Sequence, residues 1–149
     1  MKLEFSGSPE IRATREHVWS RLTDPDFVAA SAPGVETVEA TDSTHFKVIS
    51  GLGVGSVKLR FKLDVELFDI VDNESLKMRA RGKAPGSAVD VVSSLRIADG
   101  APGTVRLDWS ATSEVSGTVA SVGARLLEGT ARKLTEDFWT DFARRVGPQ

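Results

Sequence analysis

The most constraining feature of this sequence is a strictly alternating run of eleven residues from Val57 to Leu67. Apolar side chains occupy every odd position of the run, and charged side chains occupy every even position. A period of two over this length is typical of a long antiparallel β-strand with one face buried and the other in water. The fold must therefore supply a second layer of structure that covers the apolar face.

Further alternating runs on both sides of this segment predict an antiparallel meander of strands. Polar or glycine-containing turns separate the runs, as expected for hairpin connections. The predicted strands cover residues 2–8, 35–40, 45–50, 57–67, 76–81, 89–97 and 105–115.

Helix signals stand between the first strand and the meander and again at the end of the chain. Thr14 is predicted to cap a helix over residues 15–22, and Asp24 with Pro25 to begin a second short helix that ends at residues 32–34. From about Thr118 to Arg145 the apolar period changes to 3.6, which predicts one long helix ended by residues 147–148.

This order of elements predicts an α+β fold in a single domain over residues 1–149. A curved antiparallel sheet of about six to seven strands would wrap around the long C-terminal helix, with two short helices after the first strand. Only the last helix is long enough to cover the meander. A curved sheet around one helix tends to leave an apolar hollow, which is the usual kind of small-molecule site.

Composition removes several classes of site. The chain has no cysteine, so disulfides, thiolate nucleophiles and cysteine-based metal centres are excluded. The formal net charge of −2 gives no support to a nucleic-acid partner. No apolar run approaches the roughly 18 residues of a membrane-spanning helix, so we expect a cytoplasmic protein.

Several motifs carry a family resemblance that runs from the first helix to the last. They are residues 19–25, 32–36, 53–58, 115–117 and, most specifically, 123–134 (GARLLEGTARKL). With the order of elements, they resemble the helix-grip Bet v 1/START-like (SRPBCC) superfamily. Within it, the chain resembles the CoxG family of carbon monoxide dehydrogenase subunits.

The resemblance implies an accessory protein of a molybdenum hydroxylase or carbon monoxide dehydrogenase-type system, which aids maturation of the enzyme or its attachment to the membrane. It also implies an apolar pocket for a quinone- or lipid-like ligand. Many relatives extend beyond the long helix and end in a hydrophobic anchor, whereas this sequence ends at Gln149. Any membrane contact is therefore expected to be peripheral, at the inner face of the cell membrane.

The inward faces of the predicted strands and helix supply the candidate ligand site. Because Gly53 and Gly55 precede a strand rather than a helix, we interpret them as a turn at the cavity mouth and not as a phosphate loop. Ser93 and Thr130 are hydroxyls on apolar faces, bonded either to backbone or to a carbonyl of the ligand. The predicted cavity lining is Phe61, Leu63, Met78, Val91, Ser93, Leu107, Trp109, Leu127, Thr130, Ala131 and Leu134.

Two rows of cations on outward strand faces supply a candidate docking surface. The rows are Lys58, Arg60 and Lys62 in one strand and Lys77, Arg79, Arg81 and Lys83 in the next. They would lie side by side in a hairpin and could bind an acidic partner enzyme or an anionic membrane. The alternative is a solvated face, neutralised in part by Asp64, Glu66 and Asp90.

No constellation in the sequence indicates catalysis. Neither His17 nor His45 has a carboxylate or second ligand placed beside it, and we predict no catalytic residue, metal or cofactor. An alternative function is a polyketide cyclase/dehydrase-like enzyme that uses the same cavity. That alternative requires a convergent acid–base pair inside the hollow.

Overall fold

The strands of the described part of the chain, residues 1–147, join one antiparallel sheet in this computed structural model. The predicted helix stop at Pro148 lies outside the described residues. The strands are β1 (Lys2–Gly7), β2 (Glu10–Ile11), β3 (Val35–Ala40), β4 (His45–Val54), β5 (Val57–Val71), β6 (Ser75–Ala84), β7 (Ser87–Asp99) and β8 (Val105–Gly117). The helices are α1 (Arg15–Leu22), α2 (Pro25–Ser31) and α3 (Ala124–Val146), and a 3₁₀ helix, Thr118–Val122, precedes α3.

The sheet has the order β1-β8-β7-β6-β5-β4-β3, and β2 also pairs with β8. Strands β3 to β8 are therefore a continuous meander, and β1 closes onto its last strand. The helices α1 and α2 connect one edge of the sheet to the other, and α3 packs on its apolar face. The predicted α+β helix-grip fold is confirmed.

The two short helices begin where the sequence predicts. The Thr14 hydroxyl accepts a hydrogen bond from the backbone N–H of His17 at 3.2 Å, which caps α1. The Asp24 carboxylate accepts from the backbone N–H groups of Asp26 and Phe27 and caps α2. Side-chain caps satisfy N–H groups that have no partner inside a helix, so these local signals determine the boundaries.

The long helix is shorter than predicted. The prediction began it near Thr118, but residues 118–122 form a 3₁₀ helix and α3 starts at Ala124. Gly123 has φ = 101°, which an α-helix does not allow, and this residue separates the two elements. Valines at positions 119 and 122 share one face in either helix type, so their spacing does not distinguish the two.

A bulge in β5 aligns the faces of β5 and β6. Beside the turn, Val71 lies opposite Ser75, but from Phe68 onwards the register has shifted by one residue. Asp69 at φ = 49° lies in the shifted segment. Without the extra residue, the cationic row of β6 would face the apolar row of β5, because a shift of one residue exchanges the two faces of a strand.

The buried core has two clusters, one towards each end of α3. The first contains Trp19, Leu107 and Phe142, with Val146 at the end of the helix. The second contains Leu3, Val54, Phe61, Val119 and Leu127, where α3 begins. The candidate site lies beside the first cluster.

Candidate ligand-binding cavity

An apolar cavity of about 330 Å³ lies between the sheet, α2 and the C-terminal half of α3. This volume is within the usual range of small-molecule sites. The lining residues are Leu22, Thr23, Pro25, Val28, Ala29, Ala32, Val35, Val38, Phe46, Val48, Val65, Leu67, Leu76, Met78, Ser93, Leu95, Phe138 and Trp139.

Neighbouring inward residues of β5, β6 and β7 form the floor of the cavity. In one row, Met78 lies directly opposite both Leu67 and Ser93. In the next row, Leu76 lies opposite Leu95. Directly opposite residues have Cβ atoms about 4.5–5.5 Å apart, so these side chains make a continuous wall.

Aromatic residues of α3 cover the other side. Phe138 and Trp139 both line the cavity and meet edge to face, with ring centroids 4.8 Å apart. Trp139 also stacks on Trp109 of β8, and Trp109 lies opposite Leu95 of the floor. Large rings that contact one another in this way hold a rigid wall.

The backbone at Gly7 is part of the support for this wall. Gly7 lies opposite Trp109 in the β1–β8 ladder. A Cβ atom on Gly7 would stand 2.8 Å from Trp109 Nε1 and 3.2 Å from its ring carbons. Position 7 therefore has to lack a side chain for the indole of Trp109 to lie across β1.

Ser93 is the polar group of the cavity floor. Its side chain makes no hydrogen bond within residues 1–147, and the residue is 8% exposed. No fully buried side-chain nitrogen or oxygen of the described residues lacks a partner, so the Ser93 hydroxyl must be accessible. Because Ser93 points inward, the space it reaches is the cavity. The other hydroxyl of the lining, that of Thr23, already donates to the Trp19 carbonyl at 2.8 Å.

Within the described chain, the cavity lining includes no side chain that titrates. Two wider grooves of about 420 and 660 Å³ lie on the outer face of the sheet, and serine and charged residues line most of both. Apolar lining with a few placed polar groups distinguishes a small-molecule site from such grooves. The cavity is therefore suited to binding an apolar molecule, and it offers no acid–base pair.

The residues predicted from sequence to line the cavity have separate locations. Met78 and Ser93 line it, and Trp109 lies behind Trp139. Leu107 is fully buried in the first core cluster. Phe61, Leu63 and Leu127 belong to or pack against the second. The rest, Val91, Thr130, Ala131 and Leu134, are partly exposed and do not line this cavity.

Sequence reasoning missed the contributions of α2 and of the end of α3. Val28 and Ala29 form an apolar step on α2, and Phe138 continues the apolar stripe of α3. The capped start of α2 predicts the helix, but nothing local indicates which part of the sheet it covers. The adjacent pair Phe138 and Trp139 was the available signal, since large aromatic residues are enriched in ligand pockets.

Gly53 and Gly55 lie at the other end of β4. Gly55, with φ = 60°, is in the two-residue turn between Val54 and Val57. Val54 is eight residues along β4 from Phe46 of the cavity lining, or about 26 Å along an extended strand. A Cβ on Gly55 would meet Leu126 of α3 at 3.0 Å. These glycines therefore do not line the cavity.

The two cationic rows point outward, but they are offset rather than side by side. Arg79 and Arg81 lie opposite Glu66 and Asp64 of β5. Arg79 also donates two hydrogen bonds to Asp90, at 3.2 and 2.8 Å. This contact lowers the pKa of the Asp90 carboxyl. The cations of β6 are thus largely neutralised, as the alternative interpretation expected.

Other cations of these rows also have acidic partners. Arg60 donates two hydrogen bonds to Glu36, and Lys77 lies 3.4 Å from Asp69. Lys58, Lys62 and Lys83 are exposed and form no ion pair within residues 1–147. We call these three residues the lysine patch. Lys62 and Lys83 lie directly opposite each other, beside the neutral residues Ile49 and Ala88.

The two histidines lie outside the cavity lining. His17 Nε2 is 3.2 Å from the Val146 carbonyl oxygen. His45 Nδ1 lies 2.9 Å from an Asp42 carboxylate oxygen, and this hydrogen bond raises the His45 pKa above its ordinary 6.5. Hydrogen bonds from Thr44 and His45 lower the Asp42 pKa to about 2. No group of three potential metal ligands occurs among residues 1–147.

Solved structures share the fold over nearly the whole chain. A conserved protein from Geobacillus kaustophilus has a TM-score of 0.89 and 26% identity, over 97% of this chain and 95% of that one. The ZhuI aromatase/cyclase from Streptomyces sp. R1128 has a TM-score of 0.69 and 15% identity, over 99% and 97%. A START superfamily protein from Mycobacterium smegmatis has a TM-score of 0.69 and 13% identity, over 96% of each chain.

The last two likenesses establish the fold alone. Among curated proteins, none matches this chain in sequence. None of the helices in residues 1–147 combines the length and apolar character needed to cross a membrane. Residues 7–147 match the model of the CoxG family of carbon monoxide dehydrogenase subunits, and the chain belongs to that family.

Proposed function

We propose that this protein binds an apolar small molecule in the cavity and serves as an accessory protein of a carbon monoxide dehydrogenase or related molybdenum hydroxylase. The cavity carries the proposal, because it is walled by apolar side chains and presents one free hydroxyl, that of Ser93. Family membership supports the kind of partner. A quinone- or lipid-like molecule is the ligand class that the family suggests.

The lysine patch is the surface that we assign to the partner enzyme. Like charges directly opposite each other on neighbouring strands are destabilising, and Lys62 and Lys83 are such a pair. An acidic surface on the partner would relieve this repulsion and would attract the protein over a distance of about a Debye length. An anionic membrane is the competing occupant, and anionic vesicles distinguish it in a binding assay.

A cyclase-like enzyme remains the weaker alternative. The fold is shared with an aromatase/cyclase, but the lining of the cavity within residues 1–147 has no titratable group. General acid–base catalysis needs such a group within hydrogen-bond reach of the substrate. We therefore favour binding without turnover.

Native mass spectrometry of the protein purified from its own host tests the binding function. The expected result is a retained small molecule that organic extraction releases. The variant Ala29→Trp, which fills the cavity from α2, should retain none. The matched control is Ala30→Trp, since Ala30 is exposed on the same helix and does not line the cavity. Equal retention by all three proteins would place the ligand elsewhere.

A further inference from the structure

The size of the cavity restricts what it can enclose. A cavity of about 150 Å³ lined by apolar side chains holds one benzene molecule. The cavity here, at about 330 Å³, is a little more than twice as large. By that ratio it encloses on the order of a dozen non-hydrogen atoms, which is the size of two fused rings. A long acyl or isoprenoid chain exceeds this volume.

The polar chemistry of the cavity is equally restricted. Ser93 carries the free hydroxyl of the sheet wall, between Met78 on one side and Ala111 on the other. Neither neighbour can accept its proton through a side-chain oxygen or nitrogen. A hydroxyl in apolar surroundings gains from a ligand acceptor, because without one it loses the hydrogen bond that water provided.

We propose that the ligand of this cavity is a compact, rigid two-ring compound with a carbonyl oxygen that accepts a hydrogen bond from Ser93. This inference rests on the proposed binding function and narrows it. The rings lie against Phe138 and Trp139, whose positions are held by packing within α3 and against Trp109. Rigid walls favour a rigid ligand, since neither partner then loses much conformational freedom on binding.

Three probes of defined shape test this ligand class. 2-Acetylnaphthalene has two rings and one carbonyl, and 2-isopropenylnaphthalene has the same shape with a methylene group in place of the oxygen. Geranylgeraniol is a long isoprenoid alcohol. Affinities for the wild-type protein, measured by isothermal titration calorimetry or tryptophan fluorescence, should be strongest for the ketone and weakest for geranylgeraniol.

The variant Ser93→Ala isolates the hydrogen bond. It should weaken binding of the ketone about five- to tenfold, the usual effect of one neutral hydrogen bond. Its affinity for 2-isopropenylnaphthalene should be unchanged or slightly higher. The fold should tolerate this change, because the hydroxyl that is removed has no partner within residues 1–147.

The outcomes separate this inference from the proposed function. If no probe binds the wild type, or if Ala29→Trp binds all three as well as the wild type does, the cavity function itself fails. The narrower inference is overturned in three cases, in each of which cavity binding stands. These are stronger binding of geranylgeraniol than of the ketone, stronger wild-type binding of the hydrocarbon than of the ketone, and equal effects of Ser93→Ala on both naphthalenes.

Discussion

Trp109 of β8 and Trp139 of α3 stack with their ring centroids 5.9 Å apart and their planes inclined by 25°. This pair joins the sheet to the helix beside the cavity, and Trp139 is itself part of the cavity wall. Changes that move Trp109 should therefore be felt by a ligand that never touches it.

Gly7→Ala should test that connection. The new methyl group would stand 2.8 Å from Trp109 Nε1, and the indole cannot swing away without leaving Trp139. We expect a loss of about 1–3 kcal/mol in the free energy of unfolding, as for other overpacked sites, together with weaker ligand binding. Urea denaturation followed by tryptophan fluorescence measures the first effect.

The control for this prediction is Gly53→Ala. A Cβ at Gly53 meets nothing within 4 Å, and the position is exposed. Its stability should change by less than about 0.5 kcal/mol. Equal stabilities for the Gly7 variant and the wild type would show that Trp109 has room to move.

Ala29→Trp should block the cavity at low structural cost. An indole at position 29 can enter about 330 Å³ of space, whereas the same change in a filled core costs about 1–3 kcal/mol. We expect the affinity for 2-acetylnaphthalene to fall at least tenfold and the unfolding midpoint to stay close to that of Ala30→Trp. A severe loss of stability that is specific to position 29 would mean that the space is already packed.

Lys83→Glu should separate stability from docking. The substitution replaces a like-charged neighbour of Lys62 with an opposite charge, and such cross-strand pairs contribute about 0.2–1 kcal/mol. The variant should be slightly more stable to urea, yet it should bind the partner enzyme more weakly in a pull-down at low salt.

The docking control is Lys133→Glu, which changes a cation on the exposed side of α3. It should leave the pull-down unchanged. Raising the salt concentration should weaken the wild-type interaction, since exposed charges are screened. If the pull-down ignores both salt and Lys83→Glu, the lysine patch is a solvated surface and not an interface.

His45 should titrate above its ordinary pKa of 6.5, because Asp42 accepts a hydrogen bond from the ring. The folded state thus favours the protonated ring. The stability contributed by this contact is complete below pH 6.5 and is lost as the pH rises through the raised pKa. An NMR titration of the imidazole protons measures the midpoint. In Asp42→Asn the midpoint should fall towards 6.5, and a midpoint that does not respond would contradict the assigned contact.

Local signals in the sequence were sufficient for most elements of the fold. The alternation of β5 and the caps at Thr14 and Asp24 act over a few residues, so they can be recognised without knowledge of distant contacts. The same kind of signal failed at Gly123. A conformation with φ = 101° interrupts the helix there, and the apolar spacing on either side gives no indication of it.

The candidate site was only partly predictable. Inward-facing Met78 and Ser93 were identified because a strand presents alternate residues to its two faces. The faces were right for Phe61 and Leu127 as well, yet these residues fill the second core cluster. Periodicity identifies the side of an element that is buried, but not whether a neighbour fills the space in front of it.

The sequence by itself determined the antiparallel meander, the two capped helices and the long final helix, because hydrogen-bonding caps and hydrophobic periods act within a few residues. Tertiary structure decided where the cavity lies and which cations remain unpaired. The bulge at Asp69 sets the register that places Arg79 and Arg81 opposite acids and leaves Lys62 facing Lys83. The packing of α2 and of Trp139 on the sheet leaves space in front of Ser93. Both outcomes depend on contacts between residues far apart in the chain, which no local pattern encodes.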